Sequence, residues 1–168
     1  MGVFSDINQE AGLFLSLNND INRIVHTLDS VPEIKKLLYY IDRDPLQQKD
    51  LDFSLVDKTI WRTPLIPLHN ETDVDASYVS VSLLSDELDG DYRNSSSTIA
   101  IDVWTPPEQW IINDGLRPYL ICHYIEKTMR TKFMQTSGVK YRLSQVINAK
   151  LSDRLIGFRM VYETILEN

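Results

Sequence analysis

The chain has 168 residues, of which 43% are hydrophobic and 24% are charged, and its 24 Asp and Glu outweigh 17 Lys and Arg for a formal net charge of −7. This length is enough for one domain to bury a substantial core. A single cysteine excludes an internal disulfide framework and a four-cysteine zinc site, and the acidic balance argues against a broad nucleic-acid-binding surface.

The beginning of the sequence, MGVFSDINQE, lacks the basic stretch and apolar run of a secretory signal. No segment approaches the ~18 uncharged apolar residues that a membrane span requires. We therefore expect a protein that is made in the cytoplasm and has no membrane partner.

Residues 1–45 are predicted to be a helical segment. Apolar side chains recur there at spacings of three, four and seven, which indicates an amphipathic helix with Asn19 or Asp20 as its N-cap. The repeat resumes after Pro32, which suits the first turn of a second helix, and continues to the end of the segment. The apolar cluster at 13–17 either forms an arm that seeks a partner surface or packs on these helices. The repeat comprises Ile21, Ile24, Val25 and Leu28, followed by Ile34, Leu37, Leu38 and Ile41.

The periodicity fades in residues 46–76. Prolines interrupt the apolar positions of this stretch, which predicts an irregular connector with one short extended piece near 63–68.

A strand pattern begins at residue 77. Residues 77–84 alternate strictly, with Val79, Val81 and Leu83 on one face and serines on the other, which predicts a half-buried antiparallel strand. A second alternating run at 99–104 follows a polar loop, and the two runs most simply form a long hairpin.

Residues 77–168 are predicted to form one α+β domain. A helix at about 115–133 follows the hairpin, and extended runs at 140–149 and 154–165 follow the helix. The order strand, strand, helix, strand, strand (β-β-α-β-β) predicts a mainly antiparallel sheet with one long helix on one face. The predicted face of the helix comprises Leu116, Tyr119, Leu120, His123, Tyr124 and Lys127, with Ile121 and Ile125 beside it.

No residue pattern predicts catalysis, a cofactor or a metal site. Cys122 and His123 are adjacent on the predicted helix, so their side chains point about 100° apart and cannot form a nucleophile–base pair; Cys122 is better explained as a buried small apolar residue. The histidines lack the spacing of a metal site. The calcium-like run that starts at Asp73 lacks the required glycine, which Tyr78 replaces, and the closing glutamate.

Two groups of residues remain as candidates for partner contacts. The acidic cluster Asp86, Glu87, Asp89 and Asp91 lies in the loop of the predicted hairpin, where a solvated loop tip is favoured over a catalytic pair of carboxylates. Trp104 and Trp110 bracket two prolines: if exposed they would anchor an interface, and if buried they would close the sheet over the helix.

Five successive stretches of the sequence form a recognisable series: YVSVSLL, DELDGD, IAIDVWTPP, LRPYLICHYIEKTM and GFRMVYE. Residues 78–163, which contain them, resemble the tail terminator proteins of tailed bacteriophages. In that family a strand of the type I-x-V-F-x-P precedes the helix, and the chain ends in a strand of the type T-Y-x-I-x-Y-E. Residues 101–106 and 158–163 occupy those places, whereas the first 75 residues lie outside the resemblance.

The resemblance implies a structural virion protein of the tail and neck. It implies a homo-oligomeric ring, expected to be a hexamer, that caps the head-proximal end of the tail tube, stops tube polymerisation and joins the tail to the head connector. Its partners would be the tail tube protein and the connector or neck proteins. Ring closure would limit assembly without an active site, and DNA would pass through an acidic lumen that repels its phosphates. The acidic loop of residues 86–91 is then the expected lumen or docking loop.

Other functions remain open from the sequence. The chain could be a head-completion or other neck adaptor protein, since its N-terminal segment is longer than the shorter terminators possess. It could also be a non-viral α+β adaptor that binds a protein through its N-terminal helices. An enzyme with a site assembled from scattered acids is the least favoured class.

Overall fold

The computed structural model describes residues 3–64, 76–87, 96–133 and 140–164. The fold is α+β, as the sequence predicts, with three helices, a five-stranded sheet and a two-stranded sheet. Short 3-10 turns lie at Pro45–Gln47 and Pro107–Gln109, and a single π-helical turn, Met129–Phe133, extends the last helix. The elements are α1 Val3–Asp29, α2 Pro32–Tyr39, β1 Ile60–Trp61, β2 Tyr78–Glu87, β3 Ser96–Thr105, β4 Ile111–Ile112, β5 Gly115–Leu116, α3 Arg117–Thr128, β6 Tyr141–Ser152 and β7 Leu155–Thr164.

The larger sheet has the order β1-β2-β3-β7-β6. The predicted hairpin is confirmed: β2 and β3 pair antiparallel, with Val81 opposite Ile101. β3 pairs antiparallel with β7, and β7 with β6, so the four long strands form one antiparallel sheet. Among the described strands, only β1 is parallel to its neighbour, β2. The predicted order β-β-α-β-β therefore holds for the long elements.

The main core lies between the helices and one face of this sheet, which we call the helix face. Residues from the N-terminal helices, the connector and the sheet contribute to this core. Burial of their apolar side chains is the main force that holds the layers together. It includes Ile24, Leu28, Leu37, Leu38, Leu55, Ile60, Val79, Val81, Ile99, Ile101, Val103, Ile121, Ile125, Met160 and Tyr162.

The first helix is longer than predicted. α1 runs without a break from Val3 to Asp29, so Asn19 and Asp20 lie inside it and are not its N-cap. Apart from Gly12, the residues that precede Asn19 in α1 have no strong preference against a helix. Packing of the helix outweighs the low helix propensity of its asparagines. The apolar cluster at 13–17 belongs to the same helix, where Leu17 is buried and Leu15 is exposed.

The connector also contains an element that the sequence did not predict. β1 lies at Ile60–Trp61, before the expected extended piece, and Ile60 enters the main core. Thr63 is not part of a strand, and residues 65–68 lie outside the described residues.

Two predicted faces were wrong. The buried face of α3 carries Ile121, Ile125 and Thr128, whereas Tyr119 and His123 are exposed. The predicted face was too broad, and the narrow apolar stripe at spacing four is the one that meets the sheet.

The second wrong face belongs to β2. Ser80 and Ser82 are buried on the face opposite the helices, so β2 is not half-solvated over this stretch. Both faces of the sheet are therefore covered around the centre of β2, which the alternation of apolar and polar residues does not reveal.

A buried arginine joins the N-terminal helices to α3. Arg117, the first residue of α3, is fully buried and donates to main-chain carbonyl oxygens of other segments. Its Nε donates to Gln109 O at 3.0 Å, and its Nη2 donates to Asp42 O at 2.7 Å. Its Nη1 donates to Leu37 O at 2.8 Å and also to Tyr40 O.

This arginine also explains why α2 is shorter than predicted. The helix ends at Tyr39, and the backbone of Tyr40 is extended, with φ −82° and ψ 123°. The carbonyls at the end of a helix lack partners within the helix and carry partial negative charge, which a cation stabilises. Burial lowers the pKa of the Arg117 guanidinium to about 10, against the opposing effect of Asp42, so it stays charged at neutral pH.

Replacing this arginine should destabilise the whole domain. Arg117→Met keeps the aliphatic stem but leaves four buried or part-buried carbonyls without their donor, so we expect unfolding to cost about 3–5 kcal/mol less in free energy. Arg130→Met is the matched control, because the Arg130 side chain is 72% exposed and its loss should cost less than about 0.5 kcal/mol. Urea denaturation followed by circular dichroism measures both. Equal stability of Arg117→Met and the parent would contradict this role.

Candidate functional site

The predicted acidic loop lies at the far end of the β2–β3 hairpin. Asp86 pairs with Ser97, and Glu87 pairs with Ser96, as the last positions of the ladder. Asp89 and Asp91 lie outside the described residues. The hairpin therefore brings positions 86 and 87 to one end of the sheet, and the lumen role of the loop stays a prediction.

Trp104 is buried, with only 4% of its surface exposed. It packs with Tyr78 and Leu155 in a small second core, next to Trp61. This cluster lies on the opposite face of the sheet from the helices, because Trp104 alternates with the core residues Ile101 and Val103 of β3. Trp104 is therefore buried, which is one of the two alternatives drawn from the sequence, but it does not close the sheet over the helix because it lies on the opposite face.

Trp110 lies at the surface and is half-buried. Its Nε1 donates to Thr105 O at 3.1 Å, which fixes the ring, and the ring packs against Phe158 with centroids 6.2 Å apart. One side of Trp110 lines a cavity of about 330 Å³ at the end of the β6–β7 pair. The cavity is also lined by Asn148, Ala149, Lys150, Ile156 and Gly157.

Gly157 is needed for the geometry beneath this cavity. A Cβ at position 157 would lie 2.0 Å from Val103 O, far inside van der Waals contact. β3 and β7 can therefore approach as closely as they do only with glycine at this position.

Next to Trp110 lies an exposed apolar patch, which we define as Ile111, Leu116 and Tyr119. Ile111 and Leu116 are cross-strand partners in the small β4–β5 sheet, and Ile111 is 69% exposed. Tyr119 packs edge-on against Phe158 with centroids 4.8 Å apart. The apolar patch is therefore continuous with the Trp110 ring through Phe158.

The sequence did carry a signal for this patch. Asn113-Asp114-Gly115 between apolar residues is a turn sequence typical of a hairpin. Gly115 has a φ of +132°, which residues with a side chain rarely adopt. The turn that exposes Ile111 and Leu116 was therefore readable from the residues and was missed.

A buried ion pair crosses the face opposite the helices. Arg159 of β7 donates from Nε to Asp102 Oδ1 at 2.7 Å and from Nη2 to Asp102 Oδ2 at 2.8 Å. The Asp102 side chain is fully buried, and this bidentate geometry is the strong form of a charged hydrogen bond. The hydrogen bond from Arg159 to Asp102 raises the pKa of Arg159. The pair fixes the register of β3 on β7. An acid in an apolar strand is its one trace in the sequence.

β6 forms an edge of the sheet with exposed apolar side chains. It pairs with β7 on one side, and no other described strand pairs with it. Residues 144–148 are all exposed, among them Val146 at 49% and Ile147 at 40%. Unpaired edges with apolar side chains are surfaces on which another strand can pair.

The rejected catalytic pair can be tested through the thiol. Burial raises the pKa of Cys122 to about 12, although a backbone hydrogen bond opposes the shift.

Within the described ranges, no three or more His, Cys, Asp and Glu residues are grouped so that they could hold a metal ion. None of the helices in the described part is long and apolar enough to cross a membrane.

Cys122 should therefore be unreactive in the folded protein. At pH 8 we expect a thiol reagent such as Ellman's reagent to react at least about 100-fold more slowly with the native chain than with the chain in denaturant, because only the thiolate is nucleophilic. The pKa of Cys122 in the folded chain lies above the ordinary thiol value of 9.0. The thiol thus contributes stability that is fully present below pH 9 and is lost as the pH rises toward 12. Native reactivity equal to that of the denatured chain would contradict the burial of this thiol.

Comparison with known proteins identifies a family. No curated protein and no solved structure matches the chain. The sequence profile of the YomW family matches residues 32–164, which include α2, the connector and all seven strands. The match begins well before residue 78, where the resemblance to tail terminators starts. YomW is a phage-derived family, and since the match covers most of the chain, this phage-related protein belongs to the YomW family.

Proposed function

We propose that this protein is a structural component of a phage virion that caps the head-proximal end of the tail tube as a ring. In this role it stops tube polymerisation and joins the tail to the head connector. The observation that carries the proposal is membership of a phage-derived family over residues 32–164. The order of the long strands and α3 agrees with the order that the resemblance to tail terminators requires.

A ring protein needs a surface for its neighbours in the ring and surfaces for the tube and the connector. The exposed edge of β6 and the apolar patch of Ile111, Leu116 and Tyr119 supply two surfaces of this kind. Apolar patches rimmed by polar residues are typical of protein–protein contacts. The work of a terminator is done by such surfaces, so we assign the chain no enzymatic activity.

The net charge of −7 suits a protein that surrounds DNA without binding it. Carboxylates that line a passage repel the phosphates of the duplex, which lets the genome slide. The hairpin end at positions 86 and 87, continued by Asp89 and Asp91, is the proposed lumen or docking loop.

Two alternatives make different predictions. A head-completion or other neck adaptor would act on the connector and leave tube length unchanged. A non-viral adaptor is disfavoured by the phage-derived family. The length of the tails made without this protein separates a terminator from a neck adaptor.

The decisive experiment removes the protein from the phage or inducible prophage that encodes it. We expect tubes of irregular, extended length and full heads without tails in electron micrographs, with normal particles restored by the wild-type protein supplied in trans. The matched variant Asp89→Asn/Asp91→Asn removes two of the four acidic charges of this cluster, and should form tails but deliver DNA poorly. Tails of normal length attached to heads in the absence of the protein would overturn the terminator assignment.

A further inference from the structure

The two outer edges of the large sheet differ in how far they are covered. On one side β6 is the last described strand for all of Tyr141–Ser152. On the other side β1 covers β2 only at Val79 and Ser80, and beyond Ser80 no described strand pairs with the outer side of β2. Within the described residues, the sheet thus has a second long edge at 81–87, where Leu84 is exposed.

The β6 edge has little protection against pairing. Bulges interrupt β6 between Leu143 and Gln145 and between Lys150 and Ser152. Between them, residues 145–150 run regularly, contain no proline and carry one charge, at Lys150. Edges that remain unpaired usually carry prolines, inward charges or bulges along their length.

The directions of the strands fix how two such edges would meet. Since β2, β3, β7 and β6 are successive antiparallel neighbours, β6 runs opposite to β2. If a second copy extends the sheet with its helices on the same face, its β2 meets this β6 antiparallel. That is the more stable of the two pairings and needs no crossover connection between the strands.

Charge and side-chain facing favour one register of this pairing. β6 is basic near its start, where Arg142 lies, and β2 is acidic at its end, where Asp86 and Glu87 lie. Antiparallel pairing brings these two ends together. The register that sets Arg142 opposite Glu87 also sets Val146 opposite Leu83.

That register matches the faces and the irregularities of both strands. Val146 pairs with Met160 and Leu83 pairs with Ile99, so both face the helix side, as opposed residues in a sheet must. It also places the β2 bulge between Leu83 and Ser85 beside the β6 bulge at Leu143. Opposite charges, apolar side chains and bulges therefore coincide in one register.

We propose that residues 142–148 of β6 pair antiparallel with residues 81–87 of β2 in a second copy of this chain, so that the sheet continues from one subunit into the next. The contact uses different surfaces on the two copies, and such head-to-tail contacts close into rings when the rotation between subunits allows it. This inference deepens the proposed function, because it names the subunit interface of the proposed ring.

Lysine on the edge tests the interface. Ile147→Lys should weaken self-association at least about 100-fold in Kd, measured by light scattering with mass determination over a concentration series, because a buried ammonium would have to enter the new ladder. Ile41→Lys is the matched control, since Ile41 is 60% exposed and lies outside the edge; it should leave the mass unchanged. Arg142→Glu should weaken association as well, and adding Glu87→Arg should restore it. An Ile147→Lys protein with the parental mass at every concentration would overturn the inference.

Disulfide trapping tests the two-sided nature of the contact. In a Cys122→Ala background, oxidation of the Val146→Cys/Leu83→Cys variant should give a ladder of covalent oligomers, and Val146→Cys alone should give none. Covalent dimers from Val146→Cys alone would show β6 pairing with itself and would overturn the inference.

The failures of the two proposals are distinguishable. If the Ile147→Lys protein still forms intact rings and still controls tube length, only the proposed interface is contradicted. If the covalent ladder forms but phage that lack the protein still make normal tails, only the proposed terminator function is contradicted.

Discussion

The fold depends on a buried positive charge that donates to main-chain carbonyl oxygens. The guanidinium of Arg117 donates hydrogen bonds to four main-chain carbonyls. Three of them lie at or just beyond the end of α2, and one lies before the β4–β5 hairpin. Without Arg117, each of those carbonyls would lack this hydrogen-bond donor in the protein interior. Because one residue satisfies all of them, the end of α2, the turn before the hairpin and the start of α3 must keep one arrangement. The position of the exposed patch formed by Ile111, Leu116 and Tyr119 depends on that arrangement.

The long elements were predictable because each has a clear period. Alternation found β2 and β3, and apolar spacing found α2 and α3. The errors have physical causes that a single sequence hides. Residues 3–18 are held in α1 together with the rest of the helix, and the two residues of β1 are too few to show any period. The serines of β2 are buried although their alternation with apolar residues is typical of a solvated face.

The candidate site was less predictable than the fold. Trp110 lies half-buried at the surface, whereas Trp104 packs in a core that the sequence pattern assigns to solvent. The pair of Asp102 and Arg159 depends on register between strands 57 residues apart in the chain, which local patterns do not encode. The exposed edge of β6 follows from sheet order, and that order emerges only when β7 inserts between β3 and β6. Sheet order, rather than the acidic loop, supplies the most specific proposal about assembly.

A ring is the feature that the proposed terminator function and the proposed sheet extension have in common, so the mass of the wild-type protein in solution tests both most directly. Native mass spectrometry of the purified chain, alone and after incubation with tail tubes, should detect six copies of the 19.5 kDa chain, or a monomer that assembles into six copies only on tube ends. A chain that stays monomeric or dimeric at all concentrations, and that leaves tail tubes unbound, would contradict the ring.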